Sequence, residues 1–394
     1  MTKEPSTLIP HLLPLARADL NEQMRHDLAN AMDAWPEAES LLDWVAAHGL
    51  MPLAYRHLVA HHEVAIRTEV AGTLSSVFQR HAVSRFRVAR RLKEILEALE
   101  EAGVPVRPYK GPVLAAQLYG SFALRQYGDI DILVHPDNVM DAARVLDGIG
   151  VVNMQRFTPE WDRYLRGARH DYALRDRKTG TLVELHWALA DGYHGIRVDP
   201  DWLFAAPVAF DYFGLRIHIL GPERQVLALC VHGGKHHWER LSWLAEVAEL
   251  IRQHPEIDWS VVFEEAHRAH CVRLLRASLL LVEDLFGDVL PDPWGSMLKA
   301  DRDAQRVSHA WKQALGADAA EHYGHVDHFF RSWRMRDSRA DRFRFLWRVL
   351  TEPSERDIAG RHVPRSLRSL YLLVRPWRLM FKGLAQKRGN ARVR

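Results

Sequence analysis

Cysteine is scarce in this sequence: Cys230 and Cys271 are the two present in 394 residues. Two thiols in apolar helical contexts exclude a disulfide framework and favour a reducing, cytoplasmic setting. Long apolar runs are missing too. No uninterrupted stretch of about 18 apolar residues occurs, so no membrane span is expected. The N-terminus, MTKEPSTLIPHLLPLARADL, lacks the apolar core and small-residue cleavage site of a signal peptide. Charge of one sign is also lacking: the net value is +3, too small to argue by itself for nucleic acid. No internal repeat or low-complexity tract is evident. What remains is an ordinary globular composition, 47% hydrophobic and 26% charged, in a chain long enough for two or three domains. Its 13 tryptophans are expected mainly as helix-packing anchors.

The informative stretch is 104–136, VPVRPYKGPVLAAQLYGSFALRQYGDIDILVHP. A short β-favouring run leads into Lys110-Gly111-Pro112, then an Ala/Leu-rich helix, a loop around Arg125 and Gly128, and a second strand, Asp129-Ile130-Asp131-Ile132-Leu133-Val134. Side chains alternate along a strand, so Asp129 and Asp131 share one side while Ile130 and Ile132 take the other. Two bare carboxylates on one face repel and cost desolvation. A hard divalent cation with oxygen ligands, such as Mg²⁺, resolves that conflict; the alternative is a solvated strand end. The Lys-Gly-Pro turn suits a phosphate. Pro112 fits the first position of a helix, Gly111 permits close backbone approach, and the helix N-terminus offers free N–H groups beside the Lys110 charge.

Two later segments add to this unit. A hairpin is expected from 170–174, a turn at Lys178-Thr179-Gly180, and 181–187. On its second arm Glu184 and His186 share a face, opposite Val183 and Leu185. A glutamate in so apolar a strand needs a partner, either a metal shared with Asp129 and Asp131 or an arginine such as Arg125 or Arg175. Further on, His232, Lys235 and His236 stand at i, i+3 and i+4 of a helix. That face suits a triphosphate better than zinc, and the paired Gly233-Gly234 suggests a break in the helix there. A polar helix end with satisfied histidines is the plainer alternative.

The flanks read as helices. Residues 8–100 carry an amphipathic face through Trp35, Leu41, Leu42, Trp44 and Val45, a helix over 52–60, and a long helix over 66–102 stopped by Gly103. A helix over 138–146 and a short one over 159–166 follow the acidic strand. Short strands and turns fill 191–220, where no chemistry is legible. Helices then run through 222–253 and 259–290, with Glu246 an isolated acid on an apolar face. The last 70 residues are strongly basic, and 365–378 patterns as a basic amphipathic helix. It either docks on the core or touches an anionic membrane or RNA; the tail after Lys387 is expected to be disordered.

Lys110-Gly111, Tyr119-Gly120, Arg125, Gly128 to Val134, Val183 to Trp187, and His232, Lys235, His236 and Trp243 together resemble the uncharacterised nucleotidyltransferase family of the DNA polymerase β-like superfamily. The resemblance covers about residues 10–380. It implies an α+β fold, a small mixed β-sheet core flanked by N-terminal and C-terminal helical regions. It also implies that Asp129 and Asp131 on one strand and Glu184 on a neighbouring strand bind Mg²⁺. The superfamily's Gly-Ser turn is replaced here by Lys110-Gly111-Pro112, so the serine's role is missing. Gly120-Ser121 has the signature's letters but lies too close to Asp129 to fill its place.

The expected organisation is a helical flank over 1–103, the transferase core over 104–220 and a helical region with a basic tail over 221–394. The expected reaction is Mg²⁺-dependent transfer of a nucleoside monophosphate from NTP to an acceptor, with release of pyrophosphate and two ions at the acids. Asp129 and Asp131 bridge the ions, and Glu184 completes one site and helps deprotonate the acceptor hydroxyl. Lys110 and the Gly111 amide hold phosphate oxygens. Arg125 binds phosphate or pins its loop, and Lys235 with His232 or His236 neutralises the pyrophosphate. The acceptor (small molecule, peptide, protein or RNA) is not legible. Two alternatives are a catalytically silent nucleotide-binding adaptor and a metal-dependent phosphohydrolase built on His232 and His236.

Overall fold

The structure, a computed structural model, describes residues 11–35, 37–62, 64–153, 166–287, 290–315 and 325–351. It is an α+β protein, a small mixed sheet set among helices. The expected helices over 159–166 and 365–378 fall, but for Arg166, outside the described residues.

The N-terminal flank comprises α1 (Glu22–Ala34), α2 (Ala38–Ala47), α3 (Met51–Tyr55) and α4 (Thr68–Glu101). A π-helical turn, Arg56–Ala60, prolongs α3, which accounts for the expected helix to residue 60. Trp35 is not on the amphipathic face of α2; it lies between helices as the C-cap of α1. The 34-residue α4 serves two cores: Val70 and Leu74 enter a helical core, whereas Val88, Leu92, Ile95, Leu96 and Leu99 pack beneath the sheet. It stops where Gly103 takes φ +68° and the Val104 N–H returns to the Leu99 carbonyl at 2.9 Å, the bonding that closes a helix on a left-handed residue.

The main sheet has the order β1-β2-β5-β4-β3. Its strands are β1 (Val106–Pro108), β2 (Asp129–Val134), β3 (Val151–Asn153), β4 (Asp171–Asp176) and β5 (Leu182–His186). The β2–β5 pair is parallel and the other pairs are antiparallel. The expected hairpin is β4–β5, turning at Gly180 with φ +71°. Alternation gives the sheet two unlike faces. Ile130, Ile132, Val134, Tyr172, Leu174, Val183 and Leu185 are buried against α4 and against Val139, Ala142 and Leu146 of α6 (Val139–Gly148). The opposite face carries Asp129, Asp131, Asp171, Glu184 and His186. A second sheet is the hairpin of β6 (Val208–Tyr212) and β7 (Leu215–Ile219).

Between β1 and β2 runs α5 (Gly111–Tyr119), and a short α7 (Pro200–Phe204) precedes the second hairpin. The C-terminal helices begin with α8 (Pro222–Lys235), α9 (Leu241–Gln253), α10 (Trp259–Arg268) and α11 (Val272–Phe286), continuing through α12 (Trp294–Lys299), α13 (Arg302–Leu315), α14 (His325–Arg334) and α15 (Arg339–Thr351). Residues from Leu12 to Leu74 share one apolar core with α8 to α13, so both helical flanks pack together on the acidic side of the sheet. Among the described residues no helix is long and apolar enough to cross a membrane.

Gly233-Gly234 does not break α8, contrary to the sequence expectation. The helix runs on to Lys235. A Cβ on Gly233 would lie 2.2 Å from the Trp238 ring, and one on Gly234 would lie 2.7 Å from Leu274. The glycines therefore admit close neighbours, and the chain turns only afterwards, where His237 and Trp238 take φ of 54° and 55°.

Candidate active site

Register builds the acidic cluster. β2 and β5 run parallel with Asp131 opposite Glu184 and Asp129 opposite Leu182. The two paired carboxylates therefore emerge side by side on one face, with Asp129 at the head of the same row. On the other edge of β5, Asp171 stands opposite His186. Ligand atoms of Asp131, Glu184 and His186 all lie within 4.8 Å of one another.

Lys110 reaches this cluster from the turn before α5. Gly111, at φ +58°, opens the helix, so Pro112 takes its second position and not the first. The Lys110 Nζ donates to Asp131 Oδ1 at 2.7 Å, and both groups are buried. The His186 Nε2–H faces the same Asp131 oxygen at 3.0 Å and Glu184 Oε2 at 3.2 Å. Glu184 thus finds a histidine and metal-type neighbours and not an arginine: Arg125 is committed to Glu246, and Arg175 donates to the Gly180 carbonyl.

The electrostatics follow from burial and these contacts. Burial would raise the Asp131 carboxyl, but Lys110 and His186 hold it well below the usual carboxylate range. Burial would lower Lys110, yet the Asp131 charge prevails and pushes it up. His186 is likewise raised, its hydrogen bonds to Asp131 and Glu184 outweighing desolvation. Asp129 behaves oppositely: burial first, then the charges of Asp131 and Glu184, push it up to about 6. An acid held toward its neutral form beside two more carboxylates marks a place short of positive charge. The oxygen-rich donor set there, Asp131 and Glu184 with Asp129 beside them, suits a hard divalent cation.

The opposite wall is α8. Lys110 Nζ donates to His232 Nδ1 at 3.4 Å, and the Gln225 side chain donates to the Tyr109 carbonyl at 2.7 Å. Burial and then the Lys110 charge keep His232 well below its ordinary pKa, so it is neutral at pH 7. His236 caps the end of α8 and packs on Trp243, with ring centroids 5.6 Å apart. Burial and then the Lys235 and Lys110 charges likewise lower His236 to about 3, so of the residues expected to neutralise pyrophosphate, Lys235 is the one that carries charge at pH 7. The Lys235 ammonium lies 3.0 Å from His170 Nε2. Among the described residues the metal-type groups are Asp131–Glu184–His186 and His170–Asp171–His186. Neither contains His232 or His236.

Arg125 pins its loop. It is buried and bidentate to Glu246 of α9 at 2.8 and 3.1 Å, while its carbonyl bonds the His81 ring at 3.1 Å. Of the two roles open to it, the structural one has the observed partner, and Glu246 ceases to be an outlier. Gly120-Ser121 sits at the far end of α5, where Gly120 is its left-handed C-cap at φ +69°, away from the acids.

Sequence reasoning placed His186 on the Glu184 face without giving it a role, and it missed His170, Asp171 and Asp191 as polar neighbours of that face. The Glu184-x-His186 spacing pointed to His186. Asp171 depends on the β4–β5 register, and Asp191 lies in a loop with no local signal.

In-register carboxylates on one face of a small mixed sheet, beside a lysine-bearing helix start, are the arrangement that the sequence resemblance to nucleotidyltransferases implies. The chain belongs to the uncharacterised nucleotidyltransferase family, whose profile matches residues 36–287. Among solved structures it is similar to the antibiotic-resistance factor ANT(2'')-Ia, at 14% identity over 58% of this chain and 96% of that one, with a TM-score of 0.29. It is also similar to an antigenic nucleotidyltransferase-like protein from Paracoccidioides brasiliensis, at 14% identity over 55% and 93%, with a TM-score of 0.32. Scores this low place no constraint on substrate. No curated protein matches the chain.

Proposed function

We propose that the protein transfers a nucleoside monophosphate from an NTP to an acceptor hydroxyl, releasing pyrophosphate, with Mg²⁺ at Asp129, Asp131 and Glu184. One observation carries this: Asp131 and Glu184 stand opposite each other on parallel strands, with Asp129 on the same face. When bound, divalent ions supply charge neutralisation at the transferring phosphoryl group.

The chain's own residues do the rest. Asp131 and Glu184 hold the cation, and ionised Asp129 joins them. His186 orients both carboxylates through one N–H. Lys110, paired with Asp131 in this structure, turns to phosphate oxygens together with the Gly111 amide. Lys235 neutralises the pyrophosphate end. The Glu184 oxygen not facing His186 takes the acceptor proton. The family match supports nucleotide transfer; the ion, the nucleotide and the acceptor are this proposal's own.

The test is incubation with each of the four α-labelled NTPs, Mg²⁺ and host lysate, following label transfer. Asp131→Ala would strand the buried Lys110 cation and lower stability, so the half-buried Glu184 is the better target. Glu184→Gln should cut transfer about a hundredfold with the melting temperature preserved. Transfer retained in that variant would overturn the assignment.

A further inference from the structure

His170 has no part in the transfer just described, yet both of its ring nitrogens are engaged. Nδ1 lies 2.6 Å from Asp191 Oδ1 and 3.3 Å from Asp171 Oδ1. Carboxylates on that side fix the proton on Nδ1, so Nε2 is left to accept. The group 3.0 Å from Nε2 is the Lys235 ammonium, which also reaches the Leu189 carbonyl at 3.5 Å. The chain Asp191–His170–Lys235 thus joins the loop after β5, the start of β4 and the last residue of α8.

The ligating groups of His170, Asp171 and His186 also have the closeness of a metal site. The surrounding charge argues otherwise. Arg169 holds Asp171 at 3.0 Å, Lys235 occupies His170, and Lys110 stands beyond His186 on Asp131. Each of these ligating groups is thus already engaged by or beside a protein cation, which leaves a second metal ion little to bind here, and the Lys235 ammonium is the charge nearest an incoming anion. Lys235 is available for that anion. Its ammonium has three N–H donors, and of its two acceptors the Leu189 carbonyl is distant at 3.5 Å; burial and then the Lys110 charge lower it to about 8, which leaves it mostly protonated at pH 7.

We propose that Asp191 and His170 are positioning residues for Lys235, holding its ammonium at the acidic end of the sheet to receive phosphate oxygens of an NTP or of pyrophosphate. The inference rests on the nucleotide-transfer reading above. It assigns no bond-making step to His170: the imidazole keeps its Nδ1 proton, and the ammonium exchanges the Nε2 acceptor for a phosphate oxygen.

Binding of inorganic pyrophosphate with Mg²⁺, and of Mg·ATP, to the full chain by titration calorimetry tests it. Lys235→Met should weaken both about tenfold, the usual loss for one charge-assisted hydrogen bond. His170→Ala should weaken them by a similar factor, and the double variant should bind no worse than Lys235→Met alone, because both changes remove the same interaction. Asp191→Ala should act in the same direction, with Asp191→Glu restoring most of the affinity. Imidazole ¹⁵N shifts provide a readout that does not need the His170→Ala variant: wild type should show His170 as the Nδ1–H tautomer, and Asp191→Ala should lose that preference. Additive losses in the double variant, unchanged affinity in His170→Ala, or an Nε2–H tautomer in wild type would each overturn the relay. A wild-type protein that binds neither probe would instead overturn the nucleotide reading, and this inference with it.

Discussion

Asp129 is the residue on which the site's pH behaviour turns. Burial and the neighbouring Asp131 and Glu184 raise its carboxyl from 3.8 to about 6. An acid raised in the folded state favours folding in its neutral form. That contribution is fully present below the unfolded value and is lost as pH rises through about 6. A cation needs the ionised form, so metal affinity moves the other way. Mn²⁺ binding should strengthen between about pH 5 and 7 and level off above. Asp129→Asn should flatten both trends and raise the metal-free melting temperature at pH 8 by a few degrees. Calorimetry from pH 5 to 8 with parallel Mn²⁺ titration checks this; a wild-type profile in the variant would contradict it. Asp129, Asp131 and Glu184 were legible because strand alternation fixes which residues share a face. Their local partners were not. His186, beside Glu184 on its own strand, reaches Asp131 only because the β2–β5 register sets the strands together, Lys110 comes to Asp131 from the turn after β1, and Asp191 meets His170 across 21 residues of chain.

At the scale of elements, α8 shows how one feature admits two physical readings. Paired glycines lower helix propensity, and sequence alone reads that as a break. The fold uses the missing Cβ atoms to seat Trp238 on Gly233 and Leu274 on Gly234. Trp238 is fully buried, with its ring N–H donating to Ser278 at 3.1 Å, so the ring cannot swing away. Gly233→Ala should therefore destabilise the protein by about 1–3 kcal/mol despite the better propensity of alanine, and it should displace the His232–Lys235 end of the helix. Urea unfolding checks the first effect; a neutral or stabilising result would contradict the packing account. The long α4, its glycine stop and the β4–β5 hairpin were legible because each is set by local periodicity and turn chemistry. The place of Arg125 was not, since its partner Glu246 lies 121 positions away.

For the molecule as a whole, the sheet divides two cores. One packs α4 and α6 under the apolar face, and the other gathers the helices from both flanks over the acidic face. The carboxylates lie in the seam, with β2 and β5 behind them and α8 in front. Composition could announce neither the seam nor the meeting of the two flanks, because both depend on contacts between segments some 200 residues apart. The seam also brings the Lys110 ammonium onto an Asp131 oxygen that the proposed ion would share. Occupancy of that oxygen is what the account stakes most on. Crystals grown with Mn²⁺ and a non-hydrolysable NTP analogue, measured for anomalous scattering, test it directly. The account predicts a peak about 2.0–2.3 Å from oxygens of Asp131 and Glu184, with Asp129 joining them and Lys110 moved onto phosphate. Mn²⁺ bound elsewhere, with Lys110 still on Asp131 while the triphosphate is in place, would contradict it.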